Sequence, residues 1–420
     1  MARLLVLFVT AFVDMVGLTM ILPLLPFYAT QLGASATVVG LLVSAFSVAQ
    51  LAVAPVWGRF SDRYGRRPAI LAGLLLTGCA YGIFAFAGSV LVLLLSRLVQ
   101  GLGGGTIGVV QAYVADASPP AERTKSLGWL SAVTSLGAVA GPAFGSAMIS
   151  VGGRSAPGLA AGALALLVAG FGARFLAESR PVRMSGTHGA PSTTSPRQAI
   201  GRVLSHWREP ASRLIWIYTI GIGAFYGTIQ VVPLLLMNRL GVTEQNVGYF
   251  IMYLGGMGVV VRSLLLGRVV DLLGEARLSR LGLVLLAAGL GCTGVASHAG
   301  ILFLGFTLMP LGTAFLFPCV TGLLSRVVPD HERGLYMGVQ HTFGGASRVL
   351  FPVAAGLLMD RFGMGVPFWI SGLLVLATLP LAWALAESLP PESPETVAVR
   401  KVSSADVTGE FPVQQVVERD

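Results

Sequence analysis

The stretch Gly58-Arg59-Phe60-Ser61-Asp62-Arg63-Tyr64-Gly65-Arg66-Arg67-Pro68-Ala69-Ile70 joins two long apolar runs and sets four arginines and one aspartate between Gly58 and Arg67. Too short to cross a bilayer or to fold as a domain, it forms a tight polar turn between two membrane helices. Gly58 and Gly65 permit close backbone approach or a positive φ, and Pro68 suits the first turn of the helix that follows. The arginines alone also read as a positive-inside anchor that fixes orientation. The ordered glycines, aspartate and arginines point further, to a gate made of Gly58, Asp62, Arg63, Gly65, Arg66 and Arg67. The pattern returns at Gly267, Arg268, Asp271 and Gly274, displaced by 209 positions, which adds Asp271 to the gate residues.

Charged residues make up only 11% of the 420, against roughly a quarter in soluble domains, and the mean hydropathy is +0.78. Apolar windows of about twenty residues, each able to cross roughly 30 Å of hydrocarbon, recur along the chain and predict an all-α polytopic membrane protein. The net charge of +9 is spread over short loops rather than one face, which favours anionic lipid headgroups over nucleic acid. Cys79, Cys292 and Cys319 lie inside apolar runs, odd in number, and imply neither a disulfide framework nor a metal site. The first run carries an aspartate and two prolines and lacks a small-residue cleavage site, so it reads as a retained helix.

The predicted spans cover about 4–26, 36–57, 68–87, 89–115, 125–150 and 156–178, then 213–237, 245–266, 279–297, 299–325, 334–358 and 365–387. Arg59, Arg63, Arg66, Arg67, Arg123, Lys125, Arg180, Arg183, Arg268, Arg277, Arg280 and Arg333 fall on one side of this arrangement, against Arg154, Arg239 and Arg361 on the other. Both termini and the central loop are therefore expected in the cytoplasm. Residues 180–211, rich in Ser, Thr, Pro, Gly and Arg and lacking an apolar period, read as a flexible linker, and 389–420 as a disordered cytoplasmic tail.

The repeat runs well beyond the two turns. Gly17, Pro23 and Leu24 align with Gly227, Pro233 and Leu234, and Pro119, Glu122, Arg123, Gly128 and Pro142 with Pro329, Glu332, Arg333, Gly338 and Pro352, all displaced by 210. Twelve spans thus divide into two six-helix bundles, residues 1–179 and 212–388, and six spans each give both halves the same orientation.

Where the halves differ, function is expected. Asp14 lies roughly ten residues, or about 15 Å, into the first span, and its counterpart is Ala224. A carboxylate there must face a wet cavity or a partner, and a plain structural ion pair is the alternative. Arg97 in the fourth span, whose counterpart is Thr307, is its expected partner. Were the two to share a cavity, protonating Asp14 would free a buried cation. Asp116, at the end of the fourth span, has Arg326 as its counterpart; a salt bridge to Arg66 or Arg63 would latch the cytoplasmic ends, unless it is an ordinary charged helix terminus. Gly137, Gly141, Pro142 and Gly145 form a small-residue seam for close helix packing. In the second half His341 is a candidate proton site, Arg348 a candidate for an anionic ligand or a buried acid, and Arg262 either joins them or snorkels to the surface. Gln100 and Gln230 complete the expected cavity with Asp14, Arg97, His341 and Arg348.

Residues Gly58 to Arg67 resemble the signature loop between the second and third helices of the major facilitator superfamily. Asp14-Met15-Val16-Gly17 with Pro23 and Pro26, Arg97 with Gln100 and Gly101, and Gly137 to Gly145 resemble the motifs of its twelve-helix drug:proton antiporter branch, which includes tetracycline efflux proteins. The resemblance implies two bundles rocking around a central cavity, with efflux of a small amphipathic compound driven by proton entry. It implies a monomer in the bacterial inner membrane, with a small-molecule substrate, protons and the lipid bilayer as partners and no cofactor beyond the proton gradient. Ala80 beside Tyr81 in the third span, and the lack of an acid in the ninth or a histidine in the eighth, depart from the tetracycline exporters. A proton-coupled carrier of an organic anion is the second reading, suggested by Arg97, Arg262 and Arg348 outnumbering Asp14. A non-transporting receptor is a third. The chain shows no metal spacing, nucleophile elbow or phosphate loop of a membrane enzyme.

Overall fold

A computed structural model of the chain describes residues 2–119, 122–176, 178, 195–329 and 331–386. The expected tail, and residues 180–194 of the expected linker, lie outside the described residues. Among the described residues, twelve helices are long and apolar enough to cross a membrane: Leu5–Gln31, Ala36–Tyr64, Arg66–Ala85, Val90–Ala117, Lys125–Gly152, Ser155–Phe175, Pro210–Leu240, Val247–Leu273, Glu275–Val295, Ala299–Val327, Arg333–Phe362 and Val366–Ala384. These are spans 1 to 12 below. Span 1 packs on spans 5 and 6, span 3 on spans 4 and 6, and span 2 on span 4; the second half repeats this with span 7 on 11 and 12, span 9 on 10 and 12, and span 8 on 10.

Several spans are broken where the sequence reading drew them continuous. Span 1 turns at Leu22 to Leu24 and resumes as Leu25–Gln31 with Pro26 in its first turn. Span 4 stops at Gly104 and restarts at Ile107. In hydrocarbon the carbonyls released by such a break must find donors, and span 2 supplies them: Trp57 Nε1 donates to Leu102 O at 2.7 Å and Gln50 Nε2 to Gly104 O at 3.0 Å. Span 8 carries a π-turn at Val261–Leu265, where the Leu266 N–H bonds back to Val261 O.

The segment read as a flexible linker contains a helix, Pro196–Ser205, which corrects that reading for residues 195–205. Ser195 and Gln198 form a reciprocal capping box, Pro196 opens the first turn, and Ala199 and Val203, four apart, are buried. This helix packs on spans 7 and 11, and span 7 begins beyond it at Pro210.

The two halves meet along span 2 against span 11 and span 5 against span 8. A Cβ on Gly40 would overlap the Pro352 carbonyl oxygen, and one on Gly248 would overlap that of Pro142. Gly356 is as close to Ala36, and Leu51 meets Gly345 near mid-span. Toward the arginine-rich side the situation reverses: Gly58, Gly128, Gly267, Gly334 and Gly338 have nothing within 4 Å of an added Cβ. The close approaches of the two halves, and the bonds of Asp360, Ser44 and Ser146 across them, gather on the side of Gly40 and Gly248, and the halves are read as open on the arginine-rich side.

A Gly248→Val substitution forces span 8 off the Pro142 backbone, and overpacking of this kind costs about 1–3 kcal/mol. The expected result is a wider distance between spin labels at Val151 and Phe362, exposed residues near the closed ends of spans 5 and 11. Gly267→Val, in open space, should leave that distance unchanged.

Candidate functional site

Asp14 lines a cavity of about 640 Å³ with Met15 of span 1, Thr106, Ile107 and Gln111 of span 4, and Leu130, Ser131 and Thr134 of span 5. The break in span 4 makes this space, because Thr106 and Ile107 sit where the helix is interrupted. Among the described residues Asp14 is the one carboxylate away from the ends of a span.

Arg97 does not pair with Asp14. It is 0% exposed, directs Nη1 to Gln100 Oε1 and Nε to Leu42 O at 3.4 Å, and lies 4.8 Å from the centre of the Phe46 ring. It sits about seven residues from the closed end of span 4, whereas Asp14 enters from the opposite end of span 1, so the two lie at different depths. Tyr81 of span 3 lies between them. Its ring covers Gly17, one turn beyond Asp14, and it interacts electrostatically with both Asp14 and Arg97. Tyr81 Oη, Arg97 Nη2 and Gln100 Nε2 are buried without a hydrogen-bond partner among the described residues.

A second cavity, about 230 Å³, lies between the halves and is lined by Thr19, Pro23, Pro142, Tyr226, Gln230 and Gly255, among others. Gln230 is in it. Arg348 lies outside its wall, stacked at 4.8 Å on the ring of Tyr226. His341 is exposed on span 11 and makes no hydrogen bond among the described residues.

At the gate, Arg66 joins two acids, with Nη1 on Asp62 Oδ1 at 2.7 Å and Nε on Asp116 Oδ2 at 3.1 Å, and Nη1 also donates to Ser61 Oγ at 2.7 Å. Half-exposed pairs contribute only about 0.2–1 kcal/mol each, so the weight falls on the network. Gly65, at φ 107°, lets the chain turn between spans 2 and 3, and Glu178 accepts from the N–H groups of Arg66 and Arg67 at 2.9 and 3.3 Å. A carboxylate at a helix N-terminus is favoured by the dipole as well as by the two bonds. Arg67 also donates to Ala173 O. Arg63 lies above the Tyr64 ring, and Asp271 is exposed. All the partners of Arg66 belong to the first half. The expected pairing of Asp116 with Arg66 is present, and the network ties spans 2, 3, 4 and the end of span 6 of the first half into one body.

Gly137, Gly141 and Gly145 face span 1, where Cβ atoms would crowd Phe12 O, Val16 O and Met20 O respectively. Pro142 points its carbonyl the other way, at Gly248. One face of span 5 therefore belongs to its own half and the other to the seam.

The sequence reading missed the polar clasp on the closed side. Asp360, at the end of span 11, accepts from Ala36 N at 3.0 Å, Thr37 N at 2.8 Å and Thr37 Oγ1 at 2.6 Å, capping span 2 of the other half. On the second seam Ser146 Oγ donates to Glu244 O at 2.8 Å and accepts from Gly248 N at 2.9 Å, and Arg154 approaches Glu244 at 3.8 Å. A carboxylate near a span's end carries no signal of the distant helix it caps, although Ser35-Ala36-Thr37 does mark a helix start.

A family model described as the Major Facilitator Superfamily matches residues 7–271 and 251–417. The curated Multidrug resistance protein 2 of Bacillus subtilis (strain 168) is 28% identical over 388 residues, 90% of this chain and 93% of its own. Tetracycline resistance protein, class B, of Escherichia coli is 26% identical over 366 residues, 86% and 88% of the two chains. Among solved structures, the human organic anion transporter MFSD10 (TETRAN) matches with a TM-score of 0.65 at 24% identity, covering 91% of this chain and 99% of its own. A bacterial homologue of the human lysosomal transporter Spinster, inward-facing and unoccupied, matches with a TM-score of 0.72 at 15% identity, covering 98% of each. These structures share the fold.

Two outcomes test the assignments of gate and clasp. Asp116→Lys should abolish transport without loss of insertion, since it sets a cation against Arg66, whereas Asp271→Lys should be milder. Asp360→Ala removes a helix cap worth about 0.5–2 kcal/mol. It should raise the form open on that side about fivefold, read as faster thiol labelling of a cysteine at Ser44, which donates to Val349 O across the seam, in a background lacking the three native cysteines.

Proposed function

The chain belongs to the major facilitator superfamily, and we propose that it exports a small amphipathic compound in exchange for protons. It is a multi-pass membrane transporter, not an enzyme, and its curated relatives include drug resistance proteins. The observation that carries the proton reading is Asp14, the one carboxylate away from a span's end among the described residues, on the wall of a cavity. Its counterpart Ala224 is fully buried and cannot titrate.

The arginine-rich side is read as cytoplasmic, so the open cleft faces the cytoplasm. In that state Asp14 releases its proton and the cleft admits substrate. Opening the opposite side requires parting the Gly40 and Gly248 seams, and it exposes the cavity to the outside, where Asp14 takes up the next proton. Only a group reached alternately from the two sides and changing protonation can couple the fluxes. Arg97 is held by Phe46, Leu42 and Gln100 and is not a counter-ion of Asp14.

Asp14→Asn keeps the shape and removes the titration. It should retain ligand binding and lose uphill transport, and collapsing the pH gradient should halt the wild type while changing nothing further in the variant. A variant that still pumps uphill and still responds to the gradient would place the proton elsewhere.

A further inference from the structure

Among the described residues, the spans of the second half carry Arg262 and Arg348 well inside their ends and no acid there. Arg348, on span 11 about 22 Å from its arginine-rich end at 1.5 Å per residue, stacks on Tyr226 of span 7 at 4.8 Å. Its Nε is buried and has no hydrogen-bond partner among the described residues. Arg262 is exposed and stands in the π-turn of span 8, a local widening of the helix common at functional sites. Neither arginine has a carboxylate within ion-pair distance among the described residues. Among the described residues, the acids of this half, Glu244, Asp271, Glu275, Glu332 and Asp360, all lie at or beyond span ends.

A cation inside a membrane protein normally pairs with an acid or with backbone carbonyls. Arg97 meets that rule through Leu42 O and Gln100; Arg348 does not, and is instead fixed by a ring face. Stacking leaves the planar guanidinium edge free to donate, and that edge suits a carboxylate or a sulfonate. Tyr226 continues from this edge into the mainly apolar cavity with Pro142, Phe225, Ile229, Gln230 and Pro233. The neighbourhood thus combines an anion-binding head with an aromatic slot. Were the compound a cation, it would meet two uncompensated positive charges in this half.

We propose that Arg348, oriented by Tyr226, binds the anionic group of the substrate, which is an aromatic organic anion. This rests on the transport reading for its physiological meaning, but the binding site can be tested apart from it.

The test uses purified protein and two radiolabelled probes with the same ring and opposite charge, naphthalene-2-sulfonate and 2-naphthylmethylammonium. The wild type should bind the sulfonate at least about tenfold more tightly, and Arg348→Gln should weaken it by roughly 10- to 100-fold, the loss typical of a charge-assisted bond. Arg348→Lys should recover part of the affinity, and Tyr226→Phe, which keeps the ring, should bind nearly as well as the wild type. Tyr226→Ala should fall between Arg348→Lys and Arg348→Gln, and an unchanged elution profile reports folding of each variant. Equal or tighter binding of the ammonium, no binding of either probe, or sulfonate affinity unchanged in Arg348→Gln overturns the proposal. Asp14→Asn separates the two readings: it should still bind the sulfonate. Sulfonate binding without proton-driven movement in vesicles would count against export and leave the anion site standing.

Discussion

Apolar side chains gain little by leaving lipid for one another, so helices in a bilayer are held by how closely their backbones approach. The structure depends on two such approaches, Gly248 to the Pro142 carbonyl and Gly40 to the Pro352 carbonyl. They are related by the internal repeat, since Pro142 and Pro352 are equivalent positions. A seam made from two backbones is tight when closed and has few long side chains to disentangle when it opens. The polar clasp of Asp360, Ser146 and Glu244 adds direction to this packing, because each bond crosses from one half to the other. Closure on one side and an open cleft on the other then follow from where the small residues lie.

The same small residues are used differently in the two halves. In the first, glycines on span 5 receive span 1; in the second, Gly223 and Gly227 on span 7 receive Phe351 of span 11. Moving the bulk from one helix to its partner preserves the separation while changing what each helix offers the cavity. The charges diverge in the same way. The first half keeps an acid on the cavity wall and a cation sealed behind Phe46, whereas among the described residues the second has no acid inside its spans and stacks Arg348 on Tyr226.

Much of this architecture is legible in the sequence because it repeats: the loop motif, the prolines of spans 5 and 11, and the glycines of spans 1 and 7 recur at nearly one offset. The breaks were harder to see. A glycine run such as Gly103-Gly104-Gly105 is compatible with a continuous membrane helix, and only the donors from Trp57 and Gln50, about fifty residues earlier, make the interruption tolerable. The expected meeting of Asp14 and Arg97 failed for a related reason. Charge type and helix membership suggest a pair, but depth along the membrane and the intervening Tyr81 ring are set by how spans 1, 3 and 4 pack. Asp360 and Glu178 act as caps for helices far away in the chain, and nothing in their immediate neighbours announces it. The linker helix was different: Ser195, Pro196 and Gln198 carried its start in plain view, and the polar composition of the segment obscured it.

The gate has a counterpart with its signs exchanged. Where the first half pairs Arg66 with Asp116, the second pairs Glu275 with Arg326 at 3.0 Å, at the equivalent positions. The duplicated gene has therefore already carried out a double charge reversal, and the helix ends hold together in either polarity. In the second half Asp271 and Glu275 are like charges four residues apart, so that lineage also absorbed the loss of an attraction matching Arg66 with Asp62. Intragenic suppressors of a damaged gate thus have a route drawn from the protein's own history: an acid at position 66 can restore what a base at position 116 destroys.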